Sequence, residues 1–444
     1  MGTRQLSDEM KKYGYVFSLK KTLGCYLLFV GGMILLGRMF QLQWQYTIAL
    51  CVVMMMLLPF FIRNAWKNRY EQQRFSDVNI YLEQFLYSFQ KSQKVLVTLE
   101  DVEGLFIKGS MKRVIHRARE YIANTYHEIT PEEKALQMIA VEYPCEQIQT
   151  MHHYALQVEA LGGDCHHAIM LLLESRRMWS DRIYQLLAEK KKQRFNIILS
   201  IITSLLLCSF IFLISNRMEI SIAQNPMIQI ITTLVLAVDI LIFYQADKRF
   251  AAGYFDEENS TENMKKLYQR YQNYQKHPWR HRLSIHAAKK RITREIEKVF
   301  PSWLMQISLL LQSENVSVAI MKSYTQAPAI LKIPLRELIY SMEQEPGTIR
   351  PYLKFLQEFT IPEVKSAMKM LYSISEGTGG EADSQITDII RRNQLLMNKA
   401  SIQKNQDALA GMYGLFLAPQ ITGGIKLVAD LVIMMVAYIG QMGG

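Results

Sequence analysis

A chain of 444 residues with a formal charge of +11 has room for two or three soluble domains, but its apolar residues, half of the total, are unevenly spread. Five runs nearly free of charge (residues 23–36, 47–62, 195–215, 227–244 and 425–439) exclude an ordinary soluble protein. The five cysteines follow no disulfide or zinc spacing, and G-x-x-x-x-G-K-[ST], H-E-x-x-H and G-x-S-x-G motifs are all missing. No enzyme activity, metal or cofactor is therefore expected of this chain.

Residues 1–21 read as a basic cytoplasmic lead lying along the inner leaflet. Residues 22–63 read as a transmembrane hairpin, with Trp44 and Tyr46 near its outer turn, where amphipathic rings favour the interface. A cleaved signal peptide fits poorly, because the first run lacks a small-x-small site and a second apolar run follows at once. Residues 64–194 form a first cytoplasmic domain. In it Val78, Tyr81, Leu82, Phe85, Leu86 and Phe89 make one apolar helical stripe. Thr130-Pro-Glu-Glu133 predicts a capping box, and Pro144 starts a helix that ends at Gly162-Gly163. From Asp164 no breaker intervenes, so one helix is expected to run through Lys190, Lys191, Lys192 and Arg194 into the third crossing.

A second transmembrane hairpin covers residues 195–244, and residues 245–294 read as a basic linker. Its cations are expected to meet anionic lipid or solvent rather than nucleic acid. The second cytoplasmic domain spans residues 295–424, opening on an apolar stripe through Val299, Phe300, Trp303, Leu304 and Ile307. Pro362 starts a helix to Glu376, and Glu381 begins a long polar helix to about Leu417. Pro419 and Gly423-Gly424 are expected to break the path before the last crossing, residues 425–444. Arg63, Lys67, Arg69, Lys248 and Arg249 flank the runs on the side of the large polar segments, whereas the short loops carry only Arg38 and Arg217. The positive-inside rule then places the N-terminus and both large segments in the cytoplasm, with the C-terminus outside. No period-2 alternation or hairpin dipeptide occurs, so the fold class is an all-α membrane protein with about five transmembrane helices.

Two pairs of stretches recur in the same order. Residues 86–95 match residues 307–316, and Glu159-Ala-Leu-Gly-Gly-Asp164 matches Glu376-Gly-Thr-Gly-Gly-Glu381. Val95 to Gly163 is 68 positions and Val316 to Gly380 is 64, as expected of two duplicated helical-bundle domains. In the first turn the candidate partner-binding residues are Glu159, Gly162, Gly163 and Asp164; in the second they are Glu376, Gly377, Gly379, Gly380 and Glu381. The simpler reading is a glycine C-cap followed by an acid that complements the next helix dipole. His152-His153 and Cys165-His166-His167 contain adjacent rings about 100° apart on a helix, which disfavours a shared metal. Asp239, Lys426 and Asp430 lie within apolar runs, where a charge marks either a proton or ion path or an interior polar pair. The pairing expected for Asp239 is with Lys426 or another polar neighbour.

On Phe300-Pro-Ser-Trp-Leu304 through Gln312-Ser-Glu-Asn-Val316, the two Gly-Gly-acid turns, and a basic helix entering a membrane run, the chain resembles the type II secretion F-domain family. Glu376-Gly-Thr-Gly-Gly380 follows a common form of the family turn; Glu159-Ala-Leu-Gly-Gly163 lacks its first glycine. These are the inner-membrane platform proteins of type II secretion, type IV pilus and tight-adherence (Tad) pilus machines. The resemblance implies a non-enzymatic platform in the bacterial inner membrane. It implies as partners a hexameric secretion ATPase, pilin-like subunits, and a second copy or a paralogue. The alternatives are a membrane transporter working through Asp239, Asp430 and Lys426, or a regulatory membrane protein.

Overall fold

The computed structural model describes residues 19–125, 130–162, 165–217, 222, 224–251, 253, 259–275, 282–312, 314–377 and 382–442. Among these the elements are helices, with no strand. They divide into two compact units.

The first unit comprises residues 1–75, 184–254 and 409–444. It holds α1 (Leu19–Met39), the start of α2 (Trp44–Ser92), the latter part of α7 (His166–Arg217), α8 (Pro226–Phe250) and α16 (Met412–Met442). These five helices are long and apolar enough to cross a membrane, so the chain is a membrane protein. Phe40, Leu50, Leu58, Cys208, Phe212 and Leu236 are buried together between them. Leu27, Met56, Phe210 and Val436 face outward, an arrangement that water disfavours and lipid accepts. The α1–α2 turn is tight: Leu42 N–H bonds Gly37 O at 2.8 Å, and Gln41 takes a positive φ of 50°. The buried Gln229 side chain satisfies that turn, donating to Gln41 O and accepting from Gln43 N–H, each at 3.0 Å. Gly37 is required here, since a Cβ would stand 2.6 Å from Thr47 Oγ1.

The second unit comprises residues 76–183 and 255–408. Its first part has the end of α2, then α3 (Val95–Leu105), α4 (Ser110–Asn124), α5 (Pro131–Glu142), α6 (Glu146–Leu161) and the start of α7. The expected stripe from Val78 to Phe89 is buried, together with Leu99, Ile115, Ile148 and Ile169. Its second part has α9 (Asn259–Gln275), α10 (Arg282–Leu310), α11 (Val316–Ser323), α12 (Ala329–Gln344), α13 (Arg350–Lys354), a 3₁₀ turn at Gln357–Phe359, α14 (Pro362–Glu376) and α15 (Ala382–Leu409). Its core centres on Trp303, whose indole N–H donates to Ser323 Oγ at 3.0 Å, with Phe300, Leu335, Met368 and Leu371 around it.

Several local expectations change. Residues 245–294 are more than a linker, because α9 packs on α10 and α12. Tyr268 and Tyr271 on α9 are buried against Phe359, and their hydroxyls donate to Glu358 at 3.3 Å. Thr130 precedes α5 as expected but makes no bond to the helix backbone; its hydroxyl reaches the Glu133 carboxylate at 3.5 Å instead. The break before the last crossing falls at Gly411, φ 80°, and not at Pro419 or Gly423-Gly424. Proline removes the N–H that would bond four residues back and crowds that turn. Helix α16 nevertheless runs through Pro419, and Ser200 Oγ of α7 donates to Phe416 O in the same turn at 2.8 Å.

Candidate functional site

The two glycine turns behave differently. In the first, α6 ends at Leu161 and Gly162 caps it with φ 72°, its N–H bonding Val158 O at 2.8 Å. One turn earlier, Glu159 Oε2 accepts the N–H of Val95, the first residue of α3, at 3.1 Å. Lys94 gives α3 no side-chain cap, so Glu159 supplies one from another helix and complements its N-terminal dipole. Lys94 Nζ lies 3.7 Å from the other carboxylate oxygen. Gln93 Nε2 donates to Cys165 Sγ at 3.3 Å, and Gln90 Nε2 stands 2.6 Å from His166 Nδ1. The recurring stretches at 86–95 and around 159–166 are thus brought together, and Glu159 is occupied in joining them. Gly163 and Asp164 lie outside the described residues.

In the second turn, Gly377 caps α14 in the left-handed conformation, φ 62°, with its N–H on Ile374 O at 3.2 Å. Helix α11 is capped by its own Asn315, whose side chain accepts Val318 N–H at 2.9 Å, so no acid is borrowed. The buried Tyr352 of α13 instead packs edge-on against Tyr372 of α14, with ring centroids 5.5 Å apart. Glu376 is exposed beside Gly377. Gly379, Gly380 and Glu381 lie outside the described residues.

The histidines have separate partners. His152 is buried, with Nε2 2.8 Å from the Tyr81 hydroxyl. Burial, helped by the charge of His153, pushes its pKa down to about 3, so it is a neutral core imidazole. His166 meets Gln90. Among the described residues no group of three metal-ligating side chains forms.

Comparison with family models, with curated proteins and with solved structures yields no match.

The least conventional of the candidate residues lie in the membrane-spanning unit. Asp239 on α8 and Lys426 and Asp430 on α16 are all buried. Asp239 does not pair with Lys426: its Oδ1 accepts from the Thr422 hydroxyl at 3.1 Å. Lys426 pairs with Asp430 one turn along its own helix. The ammonium also faces the rings of Phe212 at 4.8 Å and Phe40 at 5.6 Å. Gly423 lets α7 approach, since Cys208 Sγ lies 3.6 Å from Gly423 O and a Cβ there would meet Ser204 Oγ at 1.9 Å. Sequence reading found the three charges but missed Thr422, Phe40, Phe212 and Ser204. The Lys426–Asp430 spacing of four was the available signal for their pairing.

Proposed function

We propose that this chain is an inner-membrane platform protein of the type II secretion, type IV pilus or Tad pilus class. Its two cytoplasmic helical segments are copies of one F domain, and they bear on a hexameric secretion ATPase. The membrane helices receive pilin-like subunits, and motion of the ATPase is converted into their extraction from the bilayer and addition to a filament. The observation that carries the reading is the repeated order of helices. In both segments a long apolar-striped helix (α2, α10) is followed by four shorter ones (α3–α6, α11–α14), a glycine-capped turn, and a long helix (α7, α15) leading toward an apolar crossing. In both segments the first short helix packs on the last, α3 on α6 and α11 on α14, and in the first segment Glu159 also accepts the N–H that opens α3. The missing phosphate-binding loop agrees with a platform that relies on a separate motor.

Deleting the gene and imaging the cell surface tests the proposal. Loss of filaments, with pilin-like subunits retained in the membrane and filaments restored by the wild-type gene, is the expected result. Undiminished filaments in the deletion strain would overturn it. A second reading, a membrane transporter, is favoured by the buried Asp239–Thr422 and Lys426–Asp430 contacts. Ion-dependent uptake by the purified chain in liposomes would select it instead.

A further inference from the structure

The membrane-spanning unit buries one ammonium and two carboxylates: Lys426, Asp239 and Asp430 are 1%, 4% and 0% exposed. Lys426 is committed to Asp430 and to two aromatic faces. Asp239 is left with one hydroxyl, from Thr422, and its Oδ2 is buried without a partner. Asp430 Oδ1 is likewise buried and unpartnered, as is the Ser204 hydroxyl beside Gly423. From α1 and α2 the titratable groups packed against this core are the Tyr26 phenol and the Cys51 thiol. From α7 the titratable neighbour is the Cys208 thiol, within electrostatic reach of all three charges. Along α8 the next acid, Asp247, is already held by Asn64 and Arg194.

An ionised carboxylate with a single hydroxyl partner is among the costliest groups to keep inside a bilayer. Two carboxylates against one ammonium leave a net charge of −1, and one proton cancels it. Thr422, Lys426 and Asp430 follow one another at intervals of four along α16, so they share one face. Lys426 thus stands between the point where Asp239 touches α16 and Asp430.

We propose that Asp239 and Asp430 form a single-proton site bridged by Lys426. At neutral pH the proton sits on Asp239 Oδ2, and Lys426 faces Asp430. In the alternative state Asp239 releases its proton, Asp430 takes one up on Oδ1, and Lys426, keeping all three of its own, turns one helical step to Asp239. Both states are neutral, so the α8–α16 contact can switch without leaving a bare charge in lipid. This goes beyond the platform reading and does not depend on it.

Infrared spectroscopy of the full-length protein in lipid nanodiscs tests the site through the carboxylic-acid carbonyl band at pH 7. The wild type should show this band, shifted in D₂O, and Asp239→Asn, a neutral isostere, should remove it. Asp430→Asn should remove it as well, because Lys426 then turns to Asp239 and keeps it ionised. Lys426→Met should roughly double the band, since both carboxyls then hold protons. A wild type without the band, a band surviving Asp239→Asn or Asp430→Asn, or no increase in Lys426→Met would overturn the proposal. So would a band that appears only when sodium is replaced by choline, which would make the occupant a sodium ion.

Discussion

The buried His152 makes the stability of the first helical segment of the second unit depend on pH in a direction the structure fixes. Its pKa falls from 6.5 to about 3 in the folded chain, chiefly through burial, whereas the unfolded chain keeps the ordinary value. Below pH 6.5 the unfolded state binds a proton that the folded state refuses. Stability is therefore full above that pH and is lost as pH falls toward 3. Two pH units below 6.5 the loss is about 2 to 3 kcal/mol, or roughly a 30- to 150-fold rise in opening. His153, also lowered by burial, adds a smaller effect of the same sign. In His152→Gln the amide retains a partner for the Tyr81 hydroxyl and does not titrate. Pulse labelling of the buried Cys145 thiol at the start of α6, read by peptide mass spectrometry at constant reagent reactivity, reports opening directly. Between pH 7 and pH 4.5 the wild type should lose protection by about that factor, and His152→Gln should lose markedly less. Equal losses in the two proteins would refute the assignment of a neutral, desolvated imidazole.

Two further substitutions probe the contacts that hold the helices in place. Gly423→Ala forces a methyl onto Ser204 and should cost about 1 to 3 kcal/mol by overpacking, lowering the thermal midpoint in detergent. Adding Ser204→Gly should recover most of the loss, and an additive result would remove the close contact from the account. Glu159→Ala uncaps α3 from across the fold and should cost about 1 kcal/mol, whereas Glu159→Gln, which still accepts Val95 N–H, should cost less. Amide hydrogen exchange at the first turn of α3 distinguishes the two.

The helical class was legible because its signals are local. The stripe from Val78 to Phe89 repeats at helical spacing and is buried, and Pro362 and Gly377 bracket α14 where a first-turn proline and a left-handed glycine belong. Apolar runs likewise gave helices long enough to span a bilayer, α2 continuing through Pro59. Features set by tertiary contact were not legible. Gly411 ends α15 against Arg249, whose guanidinium donates to Ala410 O at 3.3 Å, and nothing near Gly411 in sequence announces Arg249. Pro419 lies inside α16, in the turn where Ser200, more than two hundred residues earlier, donates to Phe416 O, a contact that nothing near Pro419 in sequence announces. Tyr268 and Tyr271 were hidden by the polarity of the helix that carries them, although both are core residues. In the membrane the three charges were visible as isolated letters and the spacing of four pointed to Lys426–Asp430, but Phe40 just after α1, Phe212 on α7 and the Thr422–Asp239 contact had no sequence signal.

The proposed platform role requires that this membrane protein bind a separate ATPase. The most direct measurement is mild-detergent purification of the full-length tagged chain from its native membrane, with partners identified and quantified by mass spectrometry. The account predicts a hexameric ATPase of the secretion class in fixed ratio to the chain, together with pilin-like subunits. A chain that purifies without any such ATPase and carries out ion-coupled transport when reconstituted alone would contradict it.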